Sequence, residues 1–281
     1  MARFKWLAAP YFLWLMLLVV SPVLVMLVMT FFSLDGMAFS KAVFSFDSYA
    51  RMADPAIYRA LGNSLLVAFW TAVLCFFLGY PVAYIISFSQ LRNKLPVLLA
   101  MILPMWSNSM LRIVSWLRLF SVDAFAAWGL LGSMEAVIFV SVTTYLPFMI
   151  FPIYTVLEKM DRSLLEASSD LGVPAWKTFL KVTFPLSLGG VSSGVLMVFL
   201  PAATGFAISQ TIGQGKVRLI GNLLQSVFEK NNYSYGSLLS IFVSLCVLAL
   251  ILALSALAAL GRHGKRRFAL ARLGKGGKRP C

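Results

Sequence analysis

Apolar residues run through this chain in six long stretches, at about 11–33, 61–90, 95–118, 133–157, 184–206 and 236–260. Each has the length, about 20 mainly apolar residues, that a helix needs to cross the hydrocarbon core of a bilayer. The runs are too continuous for barrel strands, which alternate apolar and polar positions. Lipid also leaves every backbone polar group to be satisfied within its own segment, which favours helices. The pattern therefore predicts an all-α integral membrane protein: six transmembrane helices in a single domain over 1–281. The first run follows Arg3 and Lys5 but is far longer than a signal-peptide core of about 7–15 residues. No small-x-small cleavage pattern follows it, so it reads as a retained span.

Three polar stretches break this pattern: 158–183, 205–235 and the tail 261–281. In the first, Ser163 followed three residues later by Glu166 fits a capping box. The spacing predicts a helix over 164–171, closed by Gly172 in a left-handed conformation and kept from continuing by Pro174. A second helical stretch over 175–182 would lead into the fifth span. On the first helix Leu164, Ala167 and Leu171 share a stripe, with Glu166, Ser169 and Asp170 opposite. Small residues at 167–169 would let a partner approach closely, as in helix-in-groove recognition. The stretch 205–235 is long for a bundle connection, and its glycines are compatible with a loop that dips into a cavity or one that caps it.

Composition sharpens the membrane reading. Hydrophobic residues make up 60% of the chain, charged residues 12%, and mean hydropathy is +0.87. A soluble domain carries about 25% charged residues, so no separate soluble domain is expected. The net charge of +14 is sorted along the chain rather than concentrated in a nucleic-acid patch. With both termini cytoplasmic, sixteen of the 24 Lys and Arg fall inside and eight outside, while four acids fall inside and six outside. That bias follows the positive-inside rule. The tail from Arg262 to Arg279 then reads as an anchor on anionic headgroups, worth about 1 kcal/mol per basic residue near the surface. Cys75, Cys246 and Cys281 form no paired framework and His263 is the single histidine, so neither disulfide, metal nor histidine-based catalysis is indicated.

The stretch from Glu166-Ala167-Ser168 through Gly172 to Pro185 resembles the EAA loop of ATP-binding-cassette (ABC) importer permeases. It departs mildly, with Ser168 for the second Ala, Val182 for Ile and Phe184 for Leu. Further segments carry the likeness across nearly the whole chain: Gly62-Asn63-Ser64, Leu78-Gly79-Tyr80-Pro81, Pro104-Met105-Trp106-Ser107-Asn108, Leu146-Pro147-Phe148, Ile220-Gly221-Asn222 and Tyr235-Gly236. Together they look like the PotB-type permeases of spermidine/putrescine importers. The resemblance implies a type I, MetI-like importer permease of the bacterial inner membrane. It implies Glu166, Ala167, Ser168, Asp170 and Gly172 as the ATPase-coupling residues. It further implies a second homologous permease, an ATPase dimer that holds ATP and magnesium, and an extracytoplasmic polyamine-binding protein. This chain would bind no cofactor. Its Gly213-Gln214-Gly215-Lys216 cluster lacks the spacing of a phosphate loop, so it reads as a non-catalytic subunit.

A polyamine path needs acids or carbonyls and aromatic faces for cation–π contact. Counting from the span ends puts Trp106 and Asn108 near the middle of the third span and Tyr145 near the middle of the fourth. These three are the candidate substrate contacts, with Asp123 and Glu135 at the outer mouth. Pro104 and Pro147 would loosen the helices there. Arg112 suits a cation path poorly and is expected to snorkel outward or to pair with an acid such as Asp123. The scarcity of acids within the spans keeps another cargo (ferric ion, phosphonate or sulfate) open. It also weighs against a self-sufficient proton-coupled carrier, which would place acids or His within its spans.

Overall fold

The computed structural model describes residues 2–33, 43–89 and 93–252, the side chains of 2–9 and of Phe125 excepted. Lys41, Arg92, the end of the sixth predicted span, His263, Cys281 and the basic tail lie outside the described residues. The described residues are mostly helical and form two compact units, one up to Tyr49 together with Tyr233 onward, the other Ala50–Asn232. Among the described residues five helices are long and apolar enough to cross a membrane, and a bent pair adds a sixth candidate.

In the first unit, α1 (Ala2–Met29) leads to a two-residue antiparallel pairing of β1 (Phe32–Ser33) with β2 (Val43–Phe44), followed by α2 (Asp47–Ala50). Beside this pairing Phe31 stacks parallel on Phe44, and Phe46 and Tyr49 meet them edge-on or tilted. The Tyr49 hydroxyl donates to Thr30 Oγ1 at 3.1 Å. The helix Tyr233–Leu252 joins the same unit through hydrogen bonds from Ser234 to the Phe32 carbonyl and from Ser237 to the Met29 sulfur.

The second unit is built on three helices: α3 (Pro55–Phe88), α7 (Met134–Glu158) and α10 (Phe184–Thr204). Their starts follow from local chemistry. Asp54 accepts the Ala56 amide at 2.8 Å with Pro55 in the first turn, and Ser133 accepts the Ala136 amide at 3.1 Å. Small residues bring the backbones together, as expected where lipid removes any hydrophobic drive between helices. A Cβ at Gly190 would lie 2.7 Å from the Pro152 carbonyl oxygen, and one at Gly194 would lie 2.8 Å from the Met149 sulfur. Val67, Ala68, Ala83, Val137, Val140, Met149, Ile153 and Val198 fill the interior. Most polar groups among them are satisfied internally, Thr71 Oγ1 having no partner among the described residues. Ser87, Ser141 and Thr144 donate to carbonyls one turn back, and Tyr80 shares a 2.8 Å hydrogen bond with Ser187 that ties α3 to α10.

The third span differs from its expected form. Instead of one helix over 95–118, the chain makes α4 (Leu95–Trp106) and α5 (Ser109–Phe120), bent by 86° at Ser107-Asn108. The two side chains at the break explain it. Ser107 donates to the Pro104 carbonyl at 2.9 Å, and Asn108 accepts the Met110 amide at 2.9 Å as an N-cap. Both compete with helical continuation. Pro147, by contrast, is buried within an unbroken α7. After a short α6 (Asp123–Ala126) the chain enters α7.

Candidate coupling and pathway sites

Between α7 and α10 the chain forms a knuckle. Helix α8 spans Ser163–Asp170 and α9 spans Ala175–Thr178; a π-helical turn, Phe179–Thr183, joins α9 to α10. The capping box expected from Ser163 and Glu166 does not form. Asp161 caps instead, accepting the Ser163 amide at 3.0 Å, while the Glu166 amide bonds the Arg162 carbonyl. The helical hydrogen bonds thus begin two residues early, and Asp161 is the better acceptor for an N-terminal amide. Hydrogen bonds from the Ser163 amide and then its hydroxyl hold the Asp161 carboxyl below its ordinary value. The other end matches its expected stop. Gly172 sits at φ +70°, its amide bonds Ser169 O at 2.8 Å, and the Val173 amide bonds Ser168 O at 3.1 Å. This is the crossed pair of a Schellman turn.

Ser168 shares a 2.7 Å hydrogen bond with Thr178, so the knuckle closes on itself. The residue that departs from the second Ala of the motif is the one that makes this bond. Leu165 and Ser168 are partly covered, whereas Leu164, Glu166, Ala167 and Asp170 are exposed. Leu171 is 81% exposed and Trp176 61%, the latter with Lys177 Nζ 5.4 Å from its ring centre. The stripe read from the sequence therefore points away from the chain. At the knuckle's base Lys94 pairs with Glu158 at 3.1 Å, and Lys94 and Arg162 both donate to the Ser87 carbonyl in the last turn of α3. Around the π turn, Tyr80, Tyr84, Phe179 and Phe184 form an aromatic collar.

The candidate pathway residues do not form one cluster. Trp106 is 85% exposed at the end of α4, and Asn108 is exposed in the break. Tyr145 is half-buried in a cavity of about 370 Å³ between α5, α7 and the end of α10, where its hydroxyl reaches the Pro201 carbonyl at 3.5 Å. Arg112 lines the same cavity, contrary to the outward or Asp123-paired placement expected from sequence. Asp123 is exposed at the start of α6. Glu135 is exposed on the rim of an apolar groove of about 1020 Å³ lined by Trp70, Trp116 and Phe139.

The stretch 205–235 is not a plain loop. It contains α11 (Ala207–Ile212) and α12 (Ile220–Glu229), joined through a turn with Gln214 at φ 46° and Gly215 at φ 76°. Two sequence motifs meet here. Ser64 accepts the Ile220 amide at 2.8 Å, and Asn63 donates to the Arg218 carbonyl at 3.2 Å. Asn222 accepts from the Leu219 amide and from Ser209 while donating to the Phe206 carbonyl. A Cβ at Gly221 would lie 2.3 Å from the Thr204 carbonyl oxygen, so the first turn of α12 can lie this close only with glycine there.

A long-helix unit with small-residue seams, a broken helix pair and an outward-facing knuckle define a membrane permease component. The family model for the inner membrane component of binding-protein-dependent transport systems matches residues 1–266, and the chain belongs to that family. It is 34% identical over 246 residues to the spermidine/putrescine transport system permease protein PotB of Salmonella typhimurium, covering 83% of this chain and 85% of that protein. The PotB protein of Escherichia coli is 34% identical, covering 83% of this chain and 89% of that protein. The corresponding protein of Haemophilus influenzae is 32% identical, at 85% and 88%. The fold matches a chain of a bacterial ABC transporter involved in the import of the acidic polysaccharide alginate. The TM-score is 0.65 at 17% identity, with 91% of this chain and 95% of that chain covered.

Proposed function

We propose that this chain is the permease subunit of an ATP-driven polyamine importer, with spermidine or putrescine as cargo. In this reading it forms half of the pathway beside a second homologous permease and couples through α8 to a separate ATPase dimer. An extracytoplasmic binding protein delivers the cargo, and ATP with magnesium is held by the ATPase. The observation that carries the coupling role is the closed knuckle with its apolar stripe turned outward. Leu164 and Ala167 on α8, Leu171 at its C-cap and Trp176 beyond offer contact area, Glu166 and Asp170 offer charge, and Gly172 fixes the angle. The polyamine cargo rests on the relatives named PotB. The sorting of basic residues along the sequence supports a cytoplasmic side for the knuckle and both termini.

Trp106, Asn108 and Tyr145 are the proposed substrate contacts, with Asp123 and Glu135 at the entrance. The exposure of Trp106 and Asn108 suits a pathway shared with the second permease. One observation favours a second reading: Arg112 in the Tyr145 cavity would suit an oxyanion cargo such as phosphonate or sulfate. Co-purification of the complex and uptake of labelled spermidine into proteoliposomes, in competition with phosphonate and sulfate, decide between them. ATP-dependent spermidine uptake indifferent to the anions supports the polyamine reading; uptake of the anions alone refutes it.

A further inference from the structure

Arg112 has a buried donor that none of the described residues answers. Its Nε is shut off from solvent and has no hydrogen-bond partner among the described residues. The residues lining its cavity supply hydroxyls but no Asp or Glu. Those hydroxyls are neutral: their oxygens can accept from a guanidinium but cannot balance its charge, and none of them bonds Nε. A guanidinium cannot shed its proton to escape the cost, and a buried donor of a charged group is among the most expensive to leave unmade.

The cavity also opens beside the α4–α5 break, since Met105, Ser107 and Ser109 belong to its lining. Non-helical backbone at membrane depth persists only where protein covers it or water fills a cavity. The exposed side chains that follow the break, Met110, Leu111 and Val114, are large and apolar, so protein cover rather than a broad aqueous channel fits them. The cargo itself, being a polycation on the reading proposed above, cannot neutralise Arg112.

We infer that Arg112 is one half of an intersubunit ion pair, completed by a carboxylate of the second permease that enters this cavity beside the break. The pair removes a positive charge that would otherwise repel a cationic cargo from Tyr145, and it fixes the register of the two permeases. The inference rests on the polyamine-importer reading. Its test uses the complete reconstituted complex. Arg112→Gln strands the partner acid, so ATP-driven spermidine uptake should fall about tenfold or more, as when one member of a buried pair is removed. Arg112→Lys should lose less. Each Asp and Glu of the second permease is then changed to Asn or Gln in the Arg112→Gln background. Neutralising one of them should restore most of the uptake, because interacting residues are non-additive. If Arg112→Gln blocks assembly, the same scan reads recovery of the assembled complex. Wild-type uptake by Arg112→Gln, or a loss that no acid of the second permease rescues, overturns the pair. Failure of the wild-type complex to import spermidine would instead sink the polyamine reading, and assembly would then serve as the readout.

Discussion

Replacing Gly172 isolates the geometry of the knuckle from its surface chemistry. A Cβ at this position meets nothing within 4 Å, so a substitution introduces no clash. Its whole effect is conformational: φ is +70°, and the two bonds that close α8 run from the amides of Gly172 and Val173. A non-glycine residue in the left-handed region costs about 1–2 kcal/mol, which lowers the population of the closed turn by about 5- to 30-fold. Asn tolerates that region, Ala does so less well, and a β-branched residue is a true outlier there. The series Gly, Asn, Ala, Val should therefore rank in that order in spermidine uptake per ATP hydrolysed in proteoliposomes. Hydrogen exchange at Val173 should rise in the same order, reporting the turn independently of transport. Equal uptake and exchange across the series, or an Asn variant as impaired as Val, would refute the argument that a left-handed turn sets the coupling geometry. A graded rise in exchange with unchanged uptake would keep the turn but remove its role in coupling.

Other predictions follow from specific contacts. Gly190→Val places a side chain against the Pro152 carbonyl and Ile153 Cα, at 2.7 and 3.0 Å for Cβ alone; overpacking of this kind costs about 1–3 kcal/mol or more. The melting temperature in detergent should fall, more for Val than for Ala; unchanged melting would mean that α7 and α10 do not approach this closely. Thr183→Val removes a buried hydroxyl that has no partner among the described residues and should stabilise the fold by about 1–3 kcal/mol; a lower melting temperature would show that the hydroxyl has a partner. Asp161 is held below its ordinary value of 3.8 chiefly by the Ser163 amide. Its cap therefore stabilises α8 at pH above that value and is lost as pH falls through the depressed one. Amide exchange of Ser163, corrected for its intrinsic pH dependence, should accelerate across that acid range in the wild type; an Asp161→Asn variant with the same step would exclude Asp161 as its source.

How much of this was legible in the sequence depended on what each element rests on. Long apolar runs are unambiguous, since only a helix or barrel satisfies backbone in lipid, and α3, α7 and α10 stand where those runs are. Gly172 was readable because a left-handed stop followed by Pro174 is a local requirement. The break in the third span was not, although Ser107 and Asn108 carried it. Hydropathy averages over 20 residues, while a cap acts over three. The clearer clue was Pro104 followed within four residues by two side chains that compete for backbone. The spacing of Ser163 and Glu166 points to the wrong cap for α8, because Asp161 lies nearer the free amides and carries charge. Helices α11 and α12 were missed because six and ten residues give too little periodicity. Gly62-Asn63-Ser64 and Ile220-Gly221-Asn222 were visible as motifs, but their mutual contact is tertiary. Arg112 faces inward for the same kind of reason, since the packing of α5 on α7 and α11 decides its direction.

The knuckle's attachments explain which movements the proposed coupling would transmit. Helix α8 is fastened to α9 by the Ser168–Thr178 bond and by the Schellman turn, both short-range and directional. Its base is fastened to α3 and α7 by Lys94, Glu158 and Arg162, which are partly exposed, and such ion pairs contribute about 0–1 kcal/mol. A pull on α8 would therefore carry α9 with it before it strained the core of α3 and α7. From α9 the chain passes directly into α10 through the π turn, the one stretch there with wider hydrogen-bond geometry and an unpartnered buried hydroxyl at Thr183. π turns are weaker than regular helix and cluster at functional sites. Bending would concentrate in Phe179–Thr183, inside the collar of Tyr80, Tyr84 and Phe184. The Tyr80–Ser187 bond just beyond would then pass the displacement to α3. The seam at Gly190 and Gly194 leaves no room for α10 to approach α7 further, so α10 can only slide or rotate along that seam. Its far end is held against α12 by the close approach of Gly221 to Thr204. On the proposed coupling, motion entering at the knuckle would thus leave at the α10–α11 corner, where Pro201 and Gly205 line the cavity that holds Tyr145 and Arg112.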